Sequence, residues 1–130
     1  MSGTGGWSNP SGSHLMICLL INKSKGEALI VPLVTKRANI DCTCEFGKGD
    51  HPFIKHASCA DFSHIKKCSV DSINQMLEDE EYSINDPISN EQLVGLLKGL
   101  LASEETAGWA VTYAKKNGVP DMIKILESKL

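Results

Sequence analysis

The sequence predicts an α+β fold in which a small β-barrel or sandwich of about five short strands is followed by three to four C-terminal helices. Two observations predict it: residues 14–68 hold short apolar runs between tight turns, whereas residues 69–130 repeat apolar residues at helical spacing. With 130 residues, of which 42% are hydrophobic, the chain is long enough to bury a core without disulfides. We therefore expect a single domain over residues 14–130, preceded by a Gly/Ser-rich arm over residues 1–13 that is flexible or loosely docked, with Trp7 as a candidate anchor.

The first two strands are expected to form a hairpin. Residues 14–21 and 27–35 are apolar runs of strand length, and the polar residues 22–26 between them make a turn sequence. Pro32 has no N–H group to donate, so this part of the second strand is expected at a sheet edge or at a bulge. Further short strands are expected at residues 39–46, 53–54 and 62–68.

The segment 39–46 alternates apolar and polar residues, which is typical of a half-buried strand. This period puts Cys42 and Cys44 on the same face as Phe46, so both cysteines are expected in the core. The chain has five cysteines, an odd number without the spacing of a secreted disulfide framework. We therefore expect reduced thiols.

Helices account for the second half of the domain. They are expected over residues 70–80, from the capping box at Ser89 through Leu101, from a cap at Ser103 to about residue 117, and from Pro120 onward. The leucines between residues 93 and 101 form an amphipathic stripe that is expected in the core, with a homodimer interface as the alternative. Gly95 and Gly99, four residues apart on this helix, are expected to allow close packing of a neighbour.

Charge is unevenly distributed along the chain, whose formal net charge is -3. Residues 14–68 carry eight basic and five acidic residues, whereas residues 69–130 carry five basic and eleven acidic ones. A basic first half is compatible with an anionic ligand such as nucleic acid. The longest apolar run, residues 15–21, is far shorter than the roughly 20 residues that span a bilayer, and residues 1–13 lack the features of a secretory signal. We therefore expect a cytoplasmic protein with no membrane partner.

The most informative segment is residues 49–56, with the sequence GDHPFIKH, followed directly by Ala-Ser-Cys. A polar turn fixed by glycine and proline is typical of a site that a rigid scaffold carries on a loop. RNA cleavage without a metal needs a base for the 2′-hydroxyl, an acid for the leaving 5′-oxygen and cations for the phosphate, and histidine can serve each role. The candidate catalytic residues are Asp50, His51, His56 and Ser58. The candidate substrate-binding residues are Arg37, Lys48, Lys55 and His14.

Other functions stay open from the residues alone. The donors available for a tetrahedral zinc site are Cys42, Cys44, His51, His56 and Cys59. Their spacing differs from the usual Cys-x-x-Cys pairs. Nucleophilic catalysis by Cys59 or Ser58 is a further option, although no known hydrolase signature surrounds them. A non-enzymatic module that binds protein or nucleic acid is another alternative. No glycine-rich nucleotide-binding motif is present, so no cofactor is expected.

Part of this pattern resembles a known family. The residues that carry the resemblance are His14 and Leu15 at the start of a strand, Cys44, the motif at 49–54, His56, Ser58 and residues 99–103. Over residues 14–105 the chain resembles a family of small, mostly uncharacterised prokaryotic proteins with a GDHPFIxH motif. That family is in turn distantly similar to the PemK/MazF-like toxins of toxin–antitoxin modules.

The toxins are SH3-like barrels that cleave RNA without a metal, form dimers and bind a small antitoxin. The resemblance therefore implies an SH3-like barrel and an endoribonuclease of a toxin–antitoxin or phage-defence module. The partners it implies are RNA, a small antitoxin protein and a second copy of the chain. The toxins' opening Arg-Gly-Asp strand and their Arg-Pro pair are absent, and Arg37 is the only arginine in the chain. No catalytic residue is therefore carried over from the toxins.

Overall fold

The structure is a computed structural model that describes residues 5–8, 15–35, 44–47, 57–79, 83–84 and 88–130. The strands in these ranges are β1 (Gly5–Ser8), β2 (Leu15–Asn22), β3 (Glu27–Thr35), β4 (Glu45–Phe46), β5 (Ser58–Ala60), β6 (Lys66–Ser69) and β7 (Ser83–Ile84). The helices are a 3₁₀ helix (Phe62–His64), α1 (Val70–Glu78), α2 (Asn90–Ala102), α3 (Gly108–Lys116) and α4 (Val119–Glu127). None of these helices is long and apolar enough to cross a membrane.

The described strands form an antiparallel sheet that curls into a half-barrel and is followed by the helices, so the predicted α+β class is confirmed. Its strand order is β4-β5-β3-β2-β1-β7, with β6 also paired to β3. The predicted hairpin is present as β2 and β3, which pair from Leu15 opposite Leu33 to Asn22 opposite Glu27. The strand β3 is central, because β2 lies on one side of it while β6 and β5 share the other side.

Pro32 lies in this central strand, whereas the sequence predicts an edge or a bulge for it. On one side of β3, β6 pairs with residues 27–30 and β5 pairs with residues 33–35. Pro32 falls in the gap between these partners, where its carbonyl accepts a hydrogen bond from the Asp61 N–H at 2.9 Å. The N–H and C=O groups of one residue in an antiparallel strand point to the same neighbouring strand. The N–H group that Pro32 lacks would therefore point into this gap, so its absence removes no hydrogen bond between strands.

Helices cover both faces of the sheet. Ile17 and Leu29 pack with α2, α3 and α4 in one large cluster, which includes the leucine stripe of α2, as predicted. Cys18 and Ile30 face the other way and pack with Ile73 of α1 in a second cluster. Because both of their faces are buried, β2 and β3 have continuous apolar sequences and do not alternate.

Most helix ends follow the predicted caps. The helix α1 begins after Ser69, whose side chain accepts a hydrogen bond within its first turn. At the start of α2, the Ser89 hydroxyl accepts the Gln92 N–H at 3.1 Å, and the Gln92 amide oxygen accepts the Ser89 N–H at 2.9 Å. This confirms the capping box. The helix α4 begins directly after Gly118 (φ 78°) with Pro120 in its first turn, as predicted.

The third helix starts later than predicted. It begins at Gly108 and not directly after Ser103, because Ser103 has an extended backbone (φ -67°, ψ 133°) and ends α2. The Ser103 N–H donates to the Gly99 carbonyl at 2.8 Å, and its hydroxyl accepts the Glu105 N–H at 3.1 Å in the following turn. The serine therefore caps the end of one helix and not the start of the next.

Two predicted strands are shorter in the structure. The expected strand at 62–68 begins with the 3₁₀ helix, so only β6 is extended, from Lys66 onward. Of the expected strand at 39–46, the structure has β4, which covers its last two residues. Residues 39–43, and the strand expected at 53–54, lie outside the described residues.

Part of the N-terminal arm belongs to the sheet. Residues 5–8 form β1, in which Trp7 is opposite Met16 of β2 and Ile84 of β7. Composition predicts flexibility from local chain entropy alone, and it does not show that β2 offers a hydrogen-bonding edge. The other residues of the arm lie outside the described ranges.

Polar side chains connect α3 to the sheet. The Tyr113 hydroxyl donates to Glu27 Oε1 at 3.1 Å, and Asn22 Nδ2 donates to Asn117 Oδ1 at 2.7 Å. Lys67 Nζ lies 3.9 Å from Glu27 Oε2 and 5.3 Å from the centre of the Tyr113 ring. These contacts fix the C-terminal half of α3 against the turn between β2 and β3.

Candidate functional site

Most of the predicted site residues lie outside the described part of the chain. They are Asp50, His51, His56, Arg37, Lys48, Lys55 and His14. Ser58 is described, and so are residues 44–47 and 57–60 on either side of the predicted motif. The structure therefore describes the frame on either side of the motif.

This frame holds the two ends of the motif together. The strands β4 and β5 are antiparallel neighbours, and Phe46 lies opposite Ser58. The Ala60 N–H also donates to the Cys44 carbonyl at 3.0 Å. The described residues on either side of the motif are therefore neighbours in the sheet. A connection with fixed ends on a rigid scaffold is the usual setting of a binding or catalytic loop.

The frame rests on α2. Cys44 and Phe46 are buried in the large cluster, which confirms that Cys44 belongs to the core. A Cβ atom at Gly99 would lie 3.3 Å from the Cys44 Cβ, and one at Gly95 would lie 3.8 Å from the Cys44 Sγ. Gly99 therefore allows close packing, as predicted, whereas a Cβ atom at Gly95 would make an ordinary van der Waals contact. Burial raises the pKa of the Cys44 thiol to about 11, so it is a neutral packing group.

Ser58, one of the candidate catalytic residues, is buried. Its exposed fraction is 9%. The reason is its position in β5, where it lies opposite Phe46 on one side and Thr35 on the other. Ser58 is therefore part of the buried frame that flanks the motif.

The state of the cysteines limits the alternative chemistries. Cys59 is disulfide-bonded, whereas Cys18, Cys44 and Cys68 are free. The expectation of reduced thiols is thus wrong for Cys59, because spacing along the chain does not show which side chains a fold brings within bonding distance. Cys59 is also fully buried. In the disulfide it has no thiolate to act as a nucleophile or a zinc ligand.

A second group of polar side chains lies where β5 ends and the 3₁₀ helix begins. Asp61 Oδ1 accepts hydrogen bonds from the Ser63 hydroxyl at 2.5 Å and the Ser63 N–H at 3.2 Å. Asp61 Oδ2 lies 2.7 Å from His64 Nδ1. Partial burial on its own would raise the pKa of Asp61, but the hydrogen bonds from Ser63 and His64 and the charge of His64 outweigh it and lower that pKa. The carboxylate is therefore kept charged.

The backbone around this group is well anchored. The Asp61 N–H is bonded to the Pro32 carbonyl of β3, and the ring of Phe62, which is 2% exposed, lies in the large cluster. The His64 side chain is 70% exposed, against 22% for Asp61. A carboxylate that accepts the Nδ1–H of an imidazole leaves the Nε2 lone pair available. Here that nitrogen belongs to a largely exposed ring.

This geometry suits a general base and not a serine nucleophile. Ser63 Oγ lies 3.0 Å from His64 Nδ1, the same ring nitrogen that Asp61 contacts. In a catalytic triad the serine is bonded to the opposite nitrogen, so Ser63 is not activated here. Sequence reasoning missed the group because a strand at 62–68 puts Asp61 and His64 on opposite faces. In a 3₁₀ helix, positions i and i+3 lie on the same side, so the Asp-x-x-His spacing was the available signal.

An open cleft of about 320 Å³ lies between β4 and the first turns of α2. Its lining consists of Cys44, Glu45, Phe46, Ser89, Glu91, Gln92 and Gly95. Among the described residues of this lining, the charged groups are the carboxylates of Glu45 and Glu91. This part of the cleft is therefore acidic.

In the ranges that the structure describes, no group of three or more His, Cys, Asp or Glu side chains is arranged to hold a metal ion. The similarity to GDHPFIxH proteins over residues 14–105 stays a prediction from the residues alone. No protein-family model matches the chain, and no curated protein is significantly similar to it.

Proposed function

We propose that the protein is an endoribonuclease that cleaves RNA without a metal, with the motif at residues 49–56 as its centre. The observation that supports this proposal is the pairing of Phe46 with Ser58, which fixes both ends of the motif on a buried frame. Acid–base catalysis depends on groups that are held in position, and a loop with fixed ends meets this need. The PemK/MazF-like resemblance suggests a role in a toxin–antitoxin or phage-defence module.

In the proposed reaction, one histidine of the motif takes the proton of a ribose 2′-hydroxyl, and the 2′-oxygen attacks the adjacent phosphorus. The bond from phosphorus to the 5′-oxygen breaks as the second histidine donates a proton to that oxygen. The products are a 2′,3′-cyclic phosphate and a 5′-hydroxyl, and nothing is oxidised or reduced. His51 and His56 are assigned these two roles, with Asp50 orienting one of them. The side chains assigned to the phosphate are Arg37, Lys48, Lys55 and His14.

The buried Ser58 is given a supporting role in this proposal, because it anchors the end of the motif. We further propose a small antitoxin and a second copy of the chain as partners, and the cytoplasm as the compartment, since RNA is found there. Stable disulfides are rare in the cytosol. The disulfide of Cys59 is therefore expected to respond to the redox state of the cell in this setting.

Purified protein is expected to cleave single-stranded RNA in the presence of EDTA. His51→Ala and His56→Ala should each lower the rate by about 10²–10⁴-fold, the usual contribution of a general acid or base. Lys124→Ala, an exposed change on α4, should retain the wild-type rate. An inactive wild-type protein, or full activity in both histidine variants, would refute the proposal. Growth arrest on expression that a neighbouring gene product relieves would identify the antitoxin.

A non-enzymatic binding module is the second candidate, and the acidic cleft favours it. Glu45 and Glu91 lie around an apolar floor that includes Phe46. Two carboxylates beside buried apolar surface suit a peptide with a lysine or arginine side chain, and they repel the phosphates of RNA.

A short lysine- and arginine-containing peptide tests this second function. In NMR titrations, the backbone signals of Glu91 and Gly95 should shift, and Glu91→Lys should weaken binding. The matched control is Glu127→Lys, a charge reversal outside the cleft lining, which should bind normally. Shifts spread evenly over the acidic surface, or equal binding by both variants, would exclude a specific site.

A further inference from the structure

We propose that lysines around the turn between β2 and β3 bind the phosphate backbone of single-stranded RNA, an inference that rests on the proposed endoribonuclease function for its choice of RNA. These residues, called the lysine surface below, are Lys23, Lys25, Lys67 and Lys116, and all four are described. Lysine binds phosphate as a mobile point charge, without the fixed geometry that arginine requires. The inference therefore depends on where positive charge is concentrated.

Hydrogen bonds and an ion pair bring three distant segments together at this surface. Asn22 Nδ2 donates to Asn117 Oδ1 at 2.7 Å, which joins the turn to the end of α3. From β6, Lys67 Nζ lies 3.9 Å from Glu27 Oε2 and 5.3 Å from the centre of the Tyr113 ring. The lysines of the turn, of β6 and of α3 are therefore neighbours because of the fold, although they are far apart in sequence.

The backbone that carries these lysines is also held locally. Within the turn, Asn22 Oδ1 accepts the Ser24 hydroxyl at 2.8 Å and the Lys25 N–H at 3.2 Å. On α3, Lys116 follows Tyr113 by three residues, so both lie on the same side of the helix. The side of α3 that faces the turn thus contributes a lysine of its own.

Most of this positive charge is not neutralised within the described part of the chain. Lys23, Lys25 and Lys116 are exposed, and no ion pair is formed by them there. Lys67 is paired with Glu27, yet its side chain is 44% exposed. The helix dipole favours a lysine in the last turn of α3, but it gives no reason for two lysines in a turn between strands.

Nearby acidic residues leave an excess of positive charge. The Gly26 carbonyl accepts an N–H from the start of α1 at 2.8 Å, so Asp71 in the first turn of α1 lies near the lysines, as Glu27 does. At the junction of α3 and α4, Lys115 and Asp121 offset each other in charge. The chain as a whole has a formal net charge of -3, so a positive region on it directs a polyanion to one surface.

The composition of the surface favours RNA over a membrane. Segments that bind membrane surfaces combine basic residues with exposed tryptophan, phenylalanine or leucine. Among the described residues, the large exposed apolar side chains are Trp109, Ile125 and Leu130, which lie outside the turn, β6 and the last turn of α3. Lysines that project from three separate elements also suit a chain with one phosphate for each nucleotide better than a single small anion.

The experiment measures binding without cleavage. The probe is a fluorescent single-stranded RNA of about 12 nucleotides whose 2′-hydroxyls are methylated, so that it is bound but not cleaved. Fluorescence anisotropy at several salt concentrations compares wild-type protein with Lys116→Ala and with a double variant, Lys23→Ala plus Lys25→Ala. The slope of log K against log salt concentration should become shallower by about 0.7 for each lysine removed. The loss of affinity should be the same for RNAs of different sequence.

Lys124→Ala, which removes an exposed lysine from α4, is the charge-matched control and should bind as wild-type protein does. Circular dichroism checks that the variants are folded. If the lysine-surface variants keep the wild-type affinity and slope, or if Lys124→Ala loses as much as they do, the lysine surface is overturned. Absence of RNA binding by wild-type protein, or binding to vesicles of anionic phospholipid in its place, overturns it as well.

Cleavage of unmodified RNA in EDTA, measured in parallel, separates this inference from the proposed function. If wild-type protein cleaves RNA while the lysine-surface variants bind and cleave normally, the endoribonuclease proposal stands and the lysine surface fails. If wild-type protein binds RNA through these lysines but cleaves none, the endoribonuclease proposal fails and the lysine surface stands as a site for RNA.

Discussion

The ring of Phe62 lies directly against the backbone of Gly99. A Cβ atom added at Gly99 would lie 2.9 Å from Phe62 Cζ and 3.0 Å from Cε2, closer than real Cβ contacts. Phe62 is 2% exposed, so its ring is confined by the core on every side. This contact joins the 3₁₀ helix, and with it the Asp61 and His64 pair, to α2. The glycine at position 99 is therefore a requirement of packing.

Gly99→Ala is expected to destabilise the protein. The added methyl group must displace the buried ring of Phe62, and overpacking of this kind costs about 1–3 kcal/mol. The higher helix propensity of alanine offsets up to about 1 kcal/mol of this loss in the free energy of unfolding. We therefore expect a net loss of roughly 1–2 kcal/mol in the free energy of unfolding, measured by urea denaturation.

Gly95→Ala is the matched control on the same helix. Its nearest neighbour would be Cys44 Sγ at 3.8 Å, an ordinary van der Waals distance. Only the higher helix propensity of alanine then affects stability, so the free energy of unfolding of this variant should equal that of the wild-type protein or exceed it by roughly 0.5–1 kcal/mol. The packing argument is wrong if the two variants have the same free energy of unfolding.

Tyr113→Phe tests the polar connection between α3 and the sheet. The change removes the hydrogen bond to Glu27 and keeps the ring beneath Lys67. A loss of roughly 0.5–1.5 kcal/mol in the free energy of unfolding is expected. Tyr113→Leu also removes the aromatic ring and should lose more. Equal stability of Tyr113→Phe and wild-type protein would show that water replaces the hydroxyl at no cost.

Local sequence patterns were enough to predict the hairpin of β2 and β3 and most helix ends. Apolar periodicity and capping residues such as Ser89 act over a few residues, so they can be read directly from the chain. The strand β5 was not predicted, because three residues after a polar turn have no period of their own. Its pairing with β3 and β4 depends on contacts distant in sequence. Pro32 was misplaced for the same reason.

The candidate site was less predictable than the fold. Histidines and an aspartate within one motif predict a site at residues 49–56, whereas the strand predicted at residues 62–68 includes His64 and directly follows Asp61. One wrong element was sufficient to hide this pair. A strand puts residues i and i+3 on opposite faces, whereas a 3₁₀ helix puts them on the same side. The disulfide of Cys59 was equally hidden, since bonding distance is a property of the folded chain.

Alkaline pH is expected to destabilise the protein through its buried thiols. Burial raises the pKa of Cys18 and of Cys44 from about 9 in the unfolded chain to about 11. Both groups therefore contribute stability that is fully present below pH 9 and is lost as the pH rises through about 11. Each contribution is roughly 1–3 kcal/mol. Urea unfolding between pH 8 and about 11 should show this decline.

Cys44→Ala separates this effect from other alkaline changes. Tyr113 has a raised pKa as well, first because of burial and then because of Glu27, so it adds to the decline in the same direction. The alanine variant should be less stable at pH 7, because it leaves a cavity, but its stability should fall less steeply above pH 9. A slope identical to that of the wild-type protein would contradict the assigned role of the thiol.

The disulfide of Cys59 is expected to protect this residue from alkylation and to stabilise the protein. In denatured protein alkylated without reductant, Cys18, Cys44 and Cys68 should be modified and Cys59 should not, as mass spectrometry of peptides can measure. Cys59→Ala should lower the free energy of unfolding by about 2–4 kcal/mol under oxidising conditions, because the cross-link restricts the unfolded chain. The difference should shrink in reductant, where only the buried sulfur is lost. Cys68 is a half-buried free thiol, so the stability of Cys68→Ala should not depend on reductant in this way. Alkylation of Cys59 in oxidised protein would disprove the cross-link.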